Sequence, residues 1–212
     1  MKEKGPTASP FVPNTHSIAK LRNAAATCRG CHLWQHATQT VFGEGGAHPR
    51  IMLIGEQPGD QEDLQGHPFV GPAGRLLSAS LDEAGIDRKA VYVTNAVKHF
   101  KFEPRGKRRI HKKPNSIEIT ACKPWLEAEI EATRPDVIVC LGATAAQTLF
   151  GREFRVLKSR GQFLSYPLAP YVMATVHPSS LLRAPDEEAR RAGIQAFVRD
   201  LRRVHEVLQK AA

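Results

Sequence analysis

No stretch of the 212-residue chain approaches the ~20 consecutive apolar residues that a membrane helix needs. The first residues, Met1 to Asn14, scatter Lys, Gly and Pro and lack the apolar centre of a secretory leader, so they read as a loose tail. Cysteine is scarce, at four residues, which excludes a dense disulfide framework. The Gly-x-Gly-x-x-Gly fingerprint of dinucleotide binding is missing, as is a Walker lysine. No internal repeat, low-complexity tract or linker divides the chain. These absences leave a soluble cytoplasmic protein, a flexible tail over 1–16 and one domain over 17–212.

What is present is basic. Net charge is +9, and the run from Lys98 to Lys113 holds eight Lys/Arg against Glu103 alone. Most of the excess charge therefore belongs to one segment, which suggests a face for a polyanion. At its centre stands Lys107-Arg108-Arg109-Ile110-His111, flanked by Gly106 and Pro114 and read as an exposed loop. A neutral imidazole at the end of such a run can serve as a nucleophile.

Apolar runs at Ile51–Ile54, Val91–Thr94, Val137–Leu141 and Tyr171–Val176 read as strands. Helical patterns lie near Ser17, over Pro72–Ala84, Ile117–Thr133 and Gly142–Leu149, and over Glu187–Leu208. The alternation predicts a parallel sheet covered on both faces, with chemistry at the carboxyl ends of its strands. Three polar connections follow strands there: Gly55 to Asp60, Asn95 onward, and His177-Pro178-Ser179-Ser180.

Each carries usable groups. Glu56, Gln57 and Asp60 place carboxylates and an amide beside glycines that let a ligand come close. The amide of Asn95 can donate to a ring carbonyl and accept from a ring N–H, the pair that uracil presents and cytosine reverses. Phe69 offers a flat face for a base. His177, with Ser179 beside it, can donate to developing negative charge. Cys28 and Cys31 form a Cys-x-x-Cys pair ahead of the first strand, a position that favours metal over redox chemistry. Cys122 and His99 complete the preferred ligand set and Cys140 is held in reserve. Ligand types alone leave zinc and an iron–sulfur cluster both open.

The ordered motifs Gly55-Glu56-Gln57-Pro58-Gly59, Pro68-Phe69-Val70-Gly71-Pro72-Ala73-Gly74, Thr94-Asn95-Ala96-Val97-Lys98, Leu141-Gly142-Ala143-Thr144-Ala145 and His177-Pro178-Ser179-Ser180-Leu181-Leu182 resemble those of the uracil-DNA glycosylase superfamily, in its iron–sulfur family 4 branch. Two departures resemble the UdgX-type branch: His99 stands in a cysteine ligand's place, and the Lys107–His111 loop is inserted. The resemblance implies a three-layer α/β/α sandwich around a central, mainly parallel four-stranded sheet, and a 4Fe–4S cluster on Cys28, Cys31, His99 and Cys122. It implies uracil excision from single- or double-stranded DNA by a monomer. Phe69, Asn95, Gln57 and Asp60 would form the uracil pocket, and His177 and Glu56 would be catalytic. His111, with Arg109 beside it, would bond covalently to the sugar, and Lys107, Arg108, Lys112 and Ser179 would contact the DNA backbone.

Overall fold

A computed structural model of the chain describes residues 5–46 and 48–210. Among the described residues seven strands are formed: β1 (Ile51–Gly55), β2 (Val91–Asn95), β3 (Phe102–Arg105), β4 (Arg108–His111), β5 (Val137–Leu141), β6 (Phe163–Tyr166) and β7 (Ala169–Thr175). The helices are α1 (Ile18–Ala25), α2 (Asp60–Gln65), α3 (Pro72–Glu83), α4 (Ser116–Thr133), α5 (Ala143–Phe150), α6 (Val156–Ser159), α7 (Pro178–Leu182) and α8 (Glu187–Lys210).

The central sheet runs β2-β1-β5-β7-β6. Its first four strands are parallel, and β6 joins the edge antiparallel to β7. Alternation along the buried strands divides their side chains between two layers. Ile51, Leu53, Val91, Val93, Val137 and Val139 face α3 and α8. Met52, Ile54, Tyr92, Ile138 and Cys140 face α4 and α5. This is the expected α/β/α sandwich, with five strands in place of four. The additional strand, β6, is short and only half-buried, so it lacks the apolar run that marks the other four.

Two further differences bear on the site. The basic run is not a loop: β3 and β4 pair antiparallel, with Phe102 opposite His111 and the turn at Gly106-Lys107. Lys98, counted within that basic face, is fully buried. Residues 1–4 of the expected tail lie outside the described residues, while a later part of the segment is seated on the domain. There Ala8 is buried and its N–H donates to the Ala121 carbonyl at 2.7 Å. Among the described residues no helix is long and apolar enough to cross a membrane.

Candidate active site and its flanking cysteine cluster

Parallel strands end at one edge, so β1, β2, β5 and β7 deliver Glu56, Asn95, Gly142 and His177 to the same place. Gly55 lies opposite Asn95 in the ladder. A Cβ added to Gly55 would collide with Asn95 Oδ1 and stand 2.8 Å from Phe69 Cζ, so glycine here leaves room for an amide and a ring. Phe69 is held in the left-handed region at φ 58°, a costly conformation for an aromatic residue. Its backbone lies directly against α3, where any Cβ on Gly74 would overlap the Phe69 carbonyl. The Phe69 ring stacks on His177 with centroids 6.1 Å apart and planes 29° apart. Asn95 is buried, and among the described residues no hydrogen bond engages its side-chain amide.

His177 caps α7, and its Nδ1 accepts from the Ser179 N–H at 3.1 Å. Burial, with Arg183 and His111 adding to it, lowers its pKa to about 4. The ring is thus neutral at pH 7, with its proton on Nε2 as a donor. Ser179 Oγ also lies 2.8 Å from His177 Nδ1, so Ser179 orients an imidazole at this site.

The hairpin brings His111 to the same edge. His111 Nε2 lies 3.6 Å from Glu56 Oε1, and the other Glu56 oxygen accepts from the Thr144 hydroxyl. Gln57 fixes the hairpin base. Its Oε1 accepts from Lys101 N–H at 3.1 Å, and its Nε2 donates to the carbonyls of Lys101 and Lys112 at 3.2 and 3.0 Å. Those contacts set the amide orientation and place its nitrogen 2.9 Å from His111 Nε2. In a neutral imidazole with its proton on Nδ1, Nε2 would present its lone pair to this edge. Burial lowers the His111 pKa, opposed by the Glu56 carboxylate and assisted by Arg183. Its sequence neighbours Arg108, Arg109 and Lys112 are not among the causes.

Arg109 turns inward. Its Nε donates to Asp60 Oδ1 at 2.6 Å and its Nη1 to Asp63 Oδ2 at 2.5 Å and Thr38 Oγ1 at 3.1 Å. The guanidinium also lies over the rings of Phe100 and Phe102 at 5.4 and 5.1 Å. Asp60 is thus engaged by Arg109 at the start of α2. Lys107 and Arg108 remain exposed on the hairpin, and Lys112 Nζ lies 2.9 Å from Glu103. Sequence reasoning overlooked Asp63, Thr38 and Arg183. Thr144 was visible only as a member of a motif.

Cys28 and Cys122 share one apolar cluster with Trp125, and Cys31 packs at its edge. Trp125 Nε1–H donates to Cys28 Sγ at 3.2 Å and Lys98 N–H to Cys122 Sγ at 3.3 Å. His99 lines a cavity of about 230 Å³ together with Cys28. Burial lowers its pKa to about 4, and its Nε2 meets Thr40 Oγ1 at 2.9 Å, which leaves Nδ1. Cys140 belongs to a different cluster, in the sheet. Among the described residues no three His, Cys, Asp or Glu side chains are gathered closely enough for a single metal ion.

A sheet edge with an aromatic face, a side-chain amide free of hydrogen bonds among the described residues and a neutral histidine suits a flat polar ring, on an α/β fold. The family model described as "Uracil DNA glycosylase superfamily" matches residues 42–202. A type-4 uracil-DNA glycosylase of Thermotoga maritima is 42% identical over 165 residues, covering 77% of this chain and 82% of that protein. The Saccharolobus solfataricus type-4 enzyme is 38% identical over 166 residues, 74% of each chain. A type-5 uracil-DNA glycosylase of Pyrobaculum aerophilum is 27% identical over 183 residues, 77% of this chain and 76% of its own length. The chain belongs to the uracil-DNA glycosylase superfamily.

Proposed function

We propose that this protein excises uracil from DNA and that His111 then captures the sugar. The observation that carries the trapping step is the placement of His111, its Nε2 3.6 Å from Glu56 Oε1, at the strand edge that also holds Phe69, Asn95 and His177. The hairpin's exposed Lys107 and Arg108 suit sequence-independent phosphate contacts, and the target base is flipped from the stack. Phe69 stacks on uracil and Asn95 pairs with its edge. As the C1′–N1 bond breaks, its electron pair passes to the base, and the Nε2–H of His177 stabilises the charge that develops there. Glu56, held by Thr144, faces the cationic sugar. The Nε2 lone pair of His111 forms the new bond to C1′, and the imidazolium loses its Nδ1 proton to solvent. The product is a histidine–deoxyribose adduct in place of a free abasic site.

The cysteines fit a cluster better than a lone ion. With His99, these residues would offer a 4Fe–4S cluster thiolate and imidazole donors, and N–H donors to two of the sulfurs favour the thiolate form that burial opposes at Cys122. Cys28, Cys31, Cys122 and His99 would hold it. Bound, it would cross-link the N-terminal segment, α4 and the turn after β2.

Incubation with a uracil-containing oligonucleotide, followed by denaturing electrophoresis, tests the reading. A shifted band is expected, and His111→Ser should abolish it while uracil release continues with water as acceptor. Released uracil without any band from the native chain would make this an ordinary turnover glycosylase. Absence of release would overturn the excision reading.

A further inference from the structure

Beneath the pocket lies an ion pair that excision and trapping do not use. Lys98 Nζ lies 2.5 Å from Glu129 Oε2, with side chains 1% and 0% exposed. The ammonium also donates to Thr94 Oγ1 and to the Asn95 carbonyl, both at 2.7 Å, so its three protons are all placed. Glu129 accepts as well from Tyr92 OH at 2.9 Å, the Gly43 N–H at 3.0 Å and the Thr94 hydroxyl. Stripping water from two charges costs several kcal/mol for each, and an apolar pair of similar volume often stabilises a fold equally well. The surroundings are ready for such a pair: Leu126 and Ile130 on the same helix are fully buried. Stability alone is a poor reason for charges here.

Geometry is a better one. Asn95 is the last residue of β2, where the ladder can no longer satisfy its carbonyl. Lys98 takes that carbonyl, and the next N–H, of Ala96, donates to Gly55 O at 2.9 Å. Both polar ends of the Asn95–Ala96 peptide plane are therefore fixed, which fixes the direction in which Asn95 leaves the backbone. Apart from packing at Gly55, the backbone alone orients the amide, since no hydrogen bond among the described residues engages its side chain. We infer that the buried Lys98–Glu129 pair is a positioning device that sets the Asn95 amide for uracil over cytosine. The inference rests on the uracil reading of the site. Only the main-chain N–H of Lys98 touches Cys122, so side-chain variants leave that contact in place.

The test is the binding of oligonucleotides carrying one 2′-fluoro-deoxyuridine or one 2′-fluoro-deoxycytidine, which resist cleavage, followed by fluorescence anisotropy. Phosphate contacts are common to both, so the ratio of affinities isolates base reading. The native chain is measured first, and a lack of uracil preference there would sink the uracil pocket itself. Lys98→Met strands the carboxylate of Glu129 and endangers folding, so Lys98→Met/Glu129→Leu is made beside it. In the double variant the preference should fall about tenfold or more, the worth of one well-aligned hydrogen bond. The DNA concentration giving half-maximal uracil release should rise with it, while thermal unfolding stays near that of the native chain. A folded variant that retains the native preference would overturn the inference. So would a double variant that cannot fold, because the pair would then serve the fold and not Asn95.

Discussion

Replacing Arg109 with alanine should unfasten the hairpin and separate excision from trapping. The guanidinium bonds Asp60 at 2.6 Å, Asp63 at 2.5 Å and Thr38 at 3.1 Å. These contacts are unequal. Asp60 is 42% exposed, so that pair is worth about 0.5 kcal/mol. Asp63 is fully buried, and a charged hydrogen bond to such a group is worth about 1.5–3 kcal/mol. Asp63 keeps the Thr38 N–H at 3.0 Å after the change, which limits the loss. The ring contacts with Phe100 and Phe102 add about 0.5 kcal/mol. A total near 3 kcal/mol lowers the ratio of docked to undocked hairpin by about a hundredfold. Amide hydrogen exchange over residues 101–112 should accelerate by a similar factor, since these amides then exchange through local opening. Adduct formation should fall while uracil release persists, because Phe69, Asn95 and His177 stand on other elements. Arg109→Lys keeps the charge without the fork and should lie between the two. Unchanged exchange in the alanine variant would refute the assigned clamp. Rapid exchange with native trapping would refute the link between docking and capture.

Gly55→Ala should drive a Cβ into Asn95 Oδ1 and weaken binding of uracil-containing DNA by about tenfold or more, read as the uracil-specific part of the affinity. The trapping rate depends on neutral His111, whose pKa is lowered, so it should be flat above pH 6.5 and fall only on the acid side of that value. Because Glu56 opposes the lowering, Glu56→Gln should move that acid limb to still lower pH even as the rate drops, and an upward move in a pH–rate series would contradict the assignment. Cys28→Ser should reduce bound iron and sulfide and the visible absorption, whereas Cys140→Ser should leave all three unchanged, since Cys140 packs in the sheet.

The central strands were legible because each is a continuous apolar run buried on both faces, a pattern that depends on nothing beyond the run itself. β6 and the hairpin were not. The hairpin's β4 reads Arg-Arg-Ile-His with no apolar face, and charge density of that kind signals a solvated loop. What makes it a strand is remote: the carboxylates of α2 and the amide of Gln57, brought near only by the finished sheet. The pocket residues were found as types at strand ends. Their partners escaped for the same reason as the hairpin, since Thr144 on Glu56 and Asp63 on Arg109 are long-range pairs without local periodicity. Lys98 was misplaced because a lysine in a basic run is normally in water. Glu129, 31 positions further along, supplies the charge that lets it sit inside.

The two halves of the proposed chemistry have different structural origins. Recognition and bond cleavage draw on groups fixed by the sheet, where parallel strands leave little freedom at their ends. Capture depends on a ring borne by a separate two-stranded unit, held by side chains alone. In that proposal the adjacent residues Glu56 and Gln57 join the two: one would face the sugar cation, and the other fastens the hairpin base beside His111. On this proposal a covalent step would need no change to the strands that build the sheet edge. Loss of docking would return it to ordinary hydrolysis, because water would then reach C1′ from the side that His111 now covers.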